Sequence, residues 1–352
     1  MNDLKEAIID LAKTLNIQKI GFTTADNFEY LRKSLVEQKE AGHTSGFEHQ
    51  NLDERLHPKL AVADAKTIIS IAIAYPNKTL SKPEKTEFRR GQFSRGSWGE
   101  DYHAVLQRKL NALALGIEKL AGQFHYQAMV DTGALVDVAV AARAGIGFIG
   151  KNGLLISKEY GSWMFLGELV TTLEIEPDSA VDYGCGTCTR CVDFCPTTAL
   201  LGDGRLNAQK CLSYQTQAKG KMPLEYREKI KTVIYGCDIC QMVCPYNKGI
   251  DSHFHPEMEA DAALTNPELL PLLDLSNKQF VNKFGKMAGA WRGKNPIQRN
   301  AVYALANAND KTALPKLKEM AKNDSRDVMV DAAKWAIEKL ENGKTRIRPK
   351  TK

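Results

Sequence analysis

The residues best suited to chemistry are eight cysteines, all lying between Cys185 and Cys244 in a chain of 352 residues. The first four run Cys185-x2-Cys188-x2-Cys191-x3-Cys195, followed by Pro196. This is the bacterial ferredoxin spacing, in which three close thiolates take three corners of a cubane and the fourth cysteine crosses to a neighbouring cluster. A second run, Cys237-x2-Cys240-x3-Cys244-Pro245, is one member short, and Cys211 lies upstream where it can supply the missing ligand. Eight thiolates then fill two 4Fe-4S clusters with none left over. The crossing rule puts Cys185, Cys188, Cys191 and Cys244 on one cluster and Cys195, Cys211, Cys237 and Cys240 on the other. Disulfides are the alternative for an even count. However, the start Met1-Asn2-Asp3-Leu4-Lys5-Glu6 lacks the basic-then-apolar layout of a secretory signal, so a reducing, cytoplasmic setting is expected, where disulfides rarely persist. Zinc sites also use C-x2-C pairs but need neither the third cysteine nor the proline. Paired clusters move single electrons, so the chain is expected to carry electrons or to deliver them to chemistry housed in its own fold.

The elements that must hold these thiolates are ordinary for a globular protein, with 43% hydrophobic and 26% charged residues. No apolar run approaches the ~20 residues of a membrane span. Forty-eight basic against 42 acidic residues give a formal charge of +6, which favours polyanionic partners only weakly. Leu4, Ile8, Leu11 and Leu15 recur at helical spacing and predict a helix over 3–15. Strands are expected at Ile20 to Thr24 and at Thr67 to Tyr75, the latter β-branched, almost continuous and ended by Pro76. A helix over Tyr102 to Ala121 follows, then a strand at Tyr126 to Val130, a helix at Val136 to Ala144, and strands at Gly153 to Ser157 and Trp163 to Ile175. Residues 1–180 therefore read as one α/β domain. Residues 181–250, rich in Cys, Gly and Pro, read as a ferredoxin-like two-cluster module. Residues 251–343 read as all helix, with paired amphipathic stretches (Ile297 to Ala306, Ala313 to Ala321, Val328 to Leu340) that suggest a HEAT-like unit. Residues 344–352 form a basic tail.

Beyond the cysteine runs, several segments are specific: Val130-Asp131-Thr132-Gly133; Ala142-Arg143-Ala144-Gly145-Ile146-Gly147-Phe148-Ile149-Gly150-Lys151-Asn152; Gly161-Ser162-Trp163 with Leu166-Gly167-Glu168; Tyr235 to Gln241; and Trp291-Arg292-Gly293-Lys294. Across nearly the whole chain this set resembles the epoxyqueuosine reductases, iron-sulfur enzymes that make the last step to queuosine in transfer RNA. The resemblance implies a cobalamin cofactor between the N-terminal domain and the cluster module, an external electron donor, and a tRNA anticodon stem-loop as substrate. It implies that Asp131 is the proton donor, placed at a strand's end where active sites of α/β folds gather. A carboxyl shielded by corrin and substrate should have a raised pKa. Taken alone, an Asp after a strand is more often a helix N-cap. Asp137, the rival carboxylate, falls within the expected helix and is read as ordering Arg143 or facing solvent. Ala134 stands where the family often has proline.

By the same resemblance, corrin contacts are expected near Arg55, Leu155, Leu166, Ser213 and the Cys240-Gln241 turn. Phosphate contacts are expected from Lys219, Lys221, Arg292, Lys294 and Arg299. The chain is expected to act as a monomer. Two rival readings are a cobalamin and iron-sulfur reductase of another substrate, such as the organohalides of the related reductive dehalogenases, and a non-catalytic electron carrier without corrin.

Overall fold

The molecule, a computed structural model, is described over residues 2–343, so the basic tail 344–352 lies outside the described residues. Its organising element is β2 (Thr67–Ala74), in which all eight residues are buried. It pairs on one side with β1 (Lys19–Thr24) and on the other with β7 (Met164–Thr171), which in turn pairs with β4 (Tyr126–Met129). Four short strands lie outside this sheet. Strand β3 (Gln92–Phe93) pairs in parallel with β8 (Val233–Tyr235), and β5 (Phe148–Ile149) pairs with β6 (Leu155–Ile156).

The near-continuous apolar run of β2 has a direct cause, since helices cover both faces. Ile69, Ile71 and Ile73 pack with Leu106, Leu110 and Leu113 of α4 (Tyr102–Ala121) and with Ile8 of α1 (Asn2–Thr14). Ile68 packs with Met129, Val140 and Val170, beneath α5 (Asp137–Arg143). Two short helices precede this core, α2 (Arg32–Glu40) and α3 (Leu52–Leu56). The mixed α/β composition matches the expectation, but every pairing in the four-stranded sheet is antiparallel. The rule that ligands gather at the carboxyl ends of parallel strands therefore does not explain the position of Asp131. That position comes instead from the end of β4, where the chain turns into α5.

Helices α6 (Arg190–Asp193), α7 (Leu212–Gln217), α8 (Leu224–Arg227) and α9 (Ile239–Met242) are single turns or little more around the cysteines. Helices α10 (Ala262–Thr265), α11 (Leu269–Leu272), α12 (Asn277–Phe284), α13 (Lys294–Asn307), α14 (Leu314–Asn323) and α15 (Asp327–Asn342) complete the chain. Packing crosses the boundaries read at 180 and 250. Phe93 and the segment from Leu212 to Ile234 share one core with Phe284, Ile297 and Val302. No helix among the described residues is long and apolar enough to cross a membrane.

Helix α5 sits so close to β1 that a Cβ on Gly21 would overlap the Ala144 carbonyl. Overpacking of this kind costs about 1–3 kcal/mol. Gly21→Ala is therefore expected to lower the thermal midpoint measurably, and an unchanged midpoint would contradict the close packing.

Candidate active site and cluster ligands

Asp131 has a φ of 45°, a left-handed conformation that is costly for a residue with a Cβ. Two hydrogen bonds hold the turn. The Asp131 backbone N–H donates to Asp137 Oδ2 at 3.0 Å, at the first residue of α5. Asp131 Oδ2 accepts from the Tyr102 hydroxyl at 2.6 Å and lies 3.3 Å from His103 Nε2. The side chain therefore does not cap a helix. At the start of α4, the N-cap Asp101 accepts from the His103 backbone N–H and pairs with His103 Nδ1 at 2.7 Å. One imidazole thus joins two carboxylates.

The electrostatics follow. Burial alone would lower the His103 pKa, but its bonds to Asp101 and Asp131 outweigh that and raise it to about 9. The His103 hydrogen bond, helped by Tyr102, holds Asp131 below the usual carboxylate range. The raised value expected for Asp131 belongs to a carboxyl shielded by corrin and substrate, whereas here its side chain is 62% exposed and served by two donors. The raised carboxyls lie behind it. Burial and then the Asp131 charge push Asp137 up to about 7. Glu168 on β7 is wholly buried, neither of its oxygens has a hydrogen-bond partner, and its directly opposed neighbour Ser70 has an unpartnered hydroxyl. Burial, then the charges of Asp137 and Asp131, lift Glu168 well above the usual range. Asp137 does not order Arg143, which instead donates to Thr23 Oγ1 and to the Thr24 and Asp26 carbonyls.

Asp131, Thr132 and Gly133 line a cavity of about 510 Å³ whose other wall is the Phe47–Asn51 loop. Arg55, on α3, has Glu48 and Asp137 as its charged neighbours, which places it beside this cavity. Ser213, two residues after Cys211, receives the Gln217 amide at its carbonyl. Gln217 Oε1 in turn accepts from Tyr235 OH at 3.1 Å and Trp291 Nε1 at 3.0 Å. Leu155 and Leu166 meet in an apolar cluster with Ala72, Ala141, Ile146 and Met164. The Gln241 amide is committed to the protein, donating to Tyr75 OH, the Ser162 carbonyl and Ser162 Oγ.

None of the eight cysteines is in a disulfide. Cys191 has Cys185 and Cys244 as electrostatic neighbours, and Cys244 has Cys185 and Cys188. Cys237 has Cys211 and Cys195, and Cys240 has Cys237, Cys211 and Cys191. The fold therefore brings together two sets of four, joined at Cys191 and Cys240. Burial pushes Cys237 up to about 12 and Cys240 further. Such buried thiols need nearby positive charge, as a bound metal supplies, to become thiolate ligands. Lys151, from a segment singled out for its resemblance rather than for a role, donates through Nζ to the Gly186 and Cys188 carbonyls and so holds the first run.

The expected phosphate contacts divide. Arg299 is 1% exposed and donates to the Gln215, Ala218 and Gly220 carbonyls, so it braces the 215–220 loop and reaches no phosphate. Lys294 donates to the Leu275 carbonyl, and Lys221 pairs with Asp327 at 2.8 Å. Lys219 is exposed on the loop that Arg299 braces. Arg292 lies over the Phe47 and Trp291 rings. Tyr102, His103 and Glu168 were not assigned roles by sequence. The Asp101-Tyr102-His103 triplet at a helix start was the available signal, but it has no meaning until β4 places Asp131 opposite.

Fold and thiol sets together define an iron-sulfur oxidoreductase with a separate acid-base site. Residues 184–247 match the family of 4Fe-4S double cluster binding domains, so the module binds two 4Fe-4S clusters. Residues 55–132 match the family described as epoxyqueuosine reductase QueG, DUF1730. The chain is 80% identical over 350 residues to the epoxyqueuosine reductase of Lactococcus garvieae (strain Lg2), covering 99% of each chain. The structure of epoxyqueuosine reductase from Streptococcus thermophilus is 57% identical, with a TM-score of 0.95 over 100% of this chain and 96% of that one. A crystal structure of epoxyqueuosine reductase with a tRNA-Tyr epoxyqueuosine-modified stem loop is 49% identical, with a TM-score of 0.93 over 96% of this chain and 90% of that one. The chain belongs to the epoxyqueuosine reductase family.

The state of Glu168 has a testable consequence. The native state holds a proton that the unfolded chain releases above its ordinary value of about 4.3, so this group's stability contribution is lost as pH rises. Glu168→Gln removes that loss. The variant's thermal midpoint should exceed the wild type's at pH 8, with the gap narrowing toward pH 5. A gap that widens on acidification would show that Glu168 is ionised in the fold.

Proposed function

We propose that this chain is a cytoplasmic oxidoreductase that removes the epoxide oxygen of epoxyqueuosine in a tRNA anticodon stem-loop, using cobalamin and two 4Fe-4S clusters fed by an external donor. The observation that carries this reading is a proton-holding group, His103, bonded to a half-exposed carboxylate at the mouth of a cavity, in a chain that also binds two electron-transfer clusters. Net, two electrons and two protons convert the epoxide to an alkene and water.

The residues fit a cobalamin beside Asp131. The Asp131 carboxyl faces a cavity, and Arg55 follows the Glu54 that lines it, with Asp137 among its charged neighbours. Arg55, Ser213, Leu155, Leu166 and the Cys240-Gln241 turn would hold the corrin, which when bound supplies the reduced cobalt centre at which the epoxide is opened. The cluster on Cys195, Cys211, Cys237 and Cys240 is the one beside the site. Tyr235, two residues before Cys237, counts Asp131 and Arg292 among its charged neighbours. The cluster on Cys185, Cys188, Cys191 and Cys244 lies upstream, in contact through Cys191 and Cys240.

On the proton side, substrate covering Asp131 removes water from its carboxylate and raises its proton affinity. The proton then passes from His103 to Asp131 and on to the leaving oxygen. Asp101 keeps the imidazole oriented. Lys219 and Arg292 meet the RNA, with helices α13 to α15 as a HEAT-like support, and the protein works as a monomer.

The test is anaerobic conversion of a modified stem-loop by holoprotein with a strong reductant, read by mass spectrometry as loss of one oxygen. Asp131→Asn should slow conversion about 10²- to 10⁴-fold with both clusters retained. Because His103 loses its proton through about pH 9, wild-type kcat/KM should fall above that pH. His103→Gln should be slow throughout and lack that limb. No conversion by the wild type, or an unchanged alkaline limb in His103→Gln, would overturn the assignment. Cys195→Ser, although in the first run, should remove the EPR signal of the second cluster and spare the first.

A further inference from the structure

Phe47 and Trp291 are large apolar side chains left 42% and 51% exposed. They come from the N-terminal loop and from the lead-in to α13, yet they meet edge to face with ring centroids 5.3 Å apart. Tyr214 stands 5.4 Å from Phe47. The Arg292 guanidinium lies 4.1 Å from the Trp291 centroid and 4.6 Å from that of Phe47, and its Nε is buried without a hydrogen-bond partner. The charge is therefore held by ring faces. The Trp291 indole edge is pinned to Gln217, which fixes the ring plane while leaving a face open. Phe47 also lines the Asp131 cavity.

A fixed, open aromatic surface backed by a cation suits a nucleobase, since every base has a π-face and stacking requires no particular sequence. Its position matters as much. One ring of the cluster forms the cavity wall, so a chain that places one nucleoside against Asp131 brings its neighbour across Phe47. Resting on the reading that the substrate is an anticodon loop, we propose that Phe47, Trp291 and Arg292 form a stacking platform for the unpaired nucleotide next to the one that enters the cavity. The platform contributes affinity for single-stranded RNA and register within the loop, and leaves base identity unread.

The test is a double-mutant cycle on holoprotein, with binding of a fluorescently labelled anticodon stem-loop followed by anisotropy. Base-aromatic stacking is worth about 1–3 kcal/mol, so Trp291→Ala should weaken binding roughly 5- to 150-fold, with Trp291→Phe close to wild type. An abasic nucleotide, placed in turn on each side of the modified position, should weaken wild-type binding by a similar factor at one of the two. At that position Trp291→Ala should then cost almost nothing more. Independent, multiplying losses at both positions, or no loss in Trp291→Ala, would overturn the platform. If Trp291→Ala loses its clusters, Phe47→Ala on the exposed loop repeats the cycle. Wild-type protein that binds the stem-loop but removes no oxygen would sink the reductase reading and leave the platform standing. Wild-type protein that binds no stem-loop would sink both.

Discussion

Three carboxyl groups, Asp131, Asp137 and Glu168, crowd the turn that ends β4, and a low-dielectric site cannot hold three negative charges at once. The fold resolves this by giving all the good donors to one of them. Asp131 takes the Tyr102 hydroxyl and the His103 ring, while Asp137 receives only backbone N–H groups and Glu168 receives nothing. Ionisation is thereby favoured most at the carboxyl that faces the cavity and least at those behind it. The left-handed backbone at Asp131 is the strain accepted to point that carboxyl outward, with Asp137 as the clamp.

Much of the architecture serves to keep His103 and Asp131 in register. Helix α4, which opens with Tyr102 and His103, covers one face of the sheet, while Asp131 ends β4 within the sheet and is tied through Asp137 to α5 on the other face. Tyr102 stacks on Phe165 with centroids 4.3 Å apart and planes 7° apart, and on His103 at 4.1 Å. Packing on this side leaves the imidazole little freedom. On the other face, the absence of a side chain at Gly21 lets the C-terminal end of α5 approach β1 closely.

How much of this could be read from the sequence depended on the range of the interaction. Cysteine spacing is local and its geometry is dictated by the cubane, so both runs were legible, as was Cys211 by arithmetic. Asp131 was legible only through the resemblance, and its low pKa was not, because the donors responsible lie 28 and 29 residues away on another helix. Arg299 shows the opposite failure. A basic residue near a helix start looks like an exposed phosphate contact, but burial is decided by tertiary packing, and three carbonyls of the 215–220 loop claimed it. The antiparallel sheet was hidden for a related reason. An apolar strand covered by helices on both faces reads alike whichever way its neighbours run.

The same stacked rings connect the two halves of the chemistry. Phe165 stacks on Tyr75 at 4.3 Å, and the Tyr75 hydroxyl accepts from the Gln241 amide, next to Cys240. A continuous column thus runs from the second thiol set through Tyr75, Phe165 and Tyr102 to the Asp131 carboxylate. Its ends are a thiol of the cluster module and the carboxylate that Tyr102 and His103 serve. Stacked rings with a hydrogen bond at each end thus link the turn that carries Cys240 to the turn that carries Asp131. Helices α13 to α15 join this assembly through the core that carries Tyr235 and Cys237, so the last third of the chain is packed onto the cluster module and is not a separate unit.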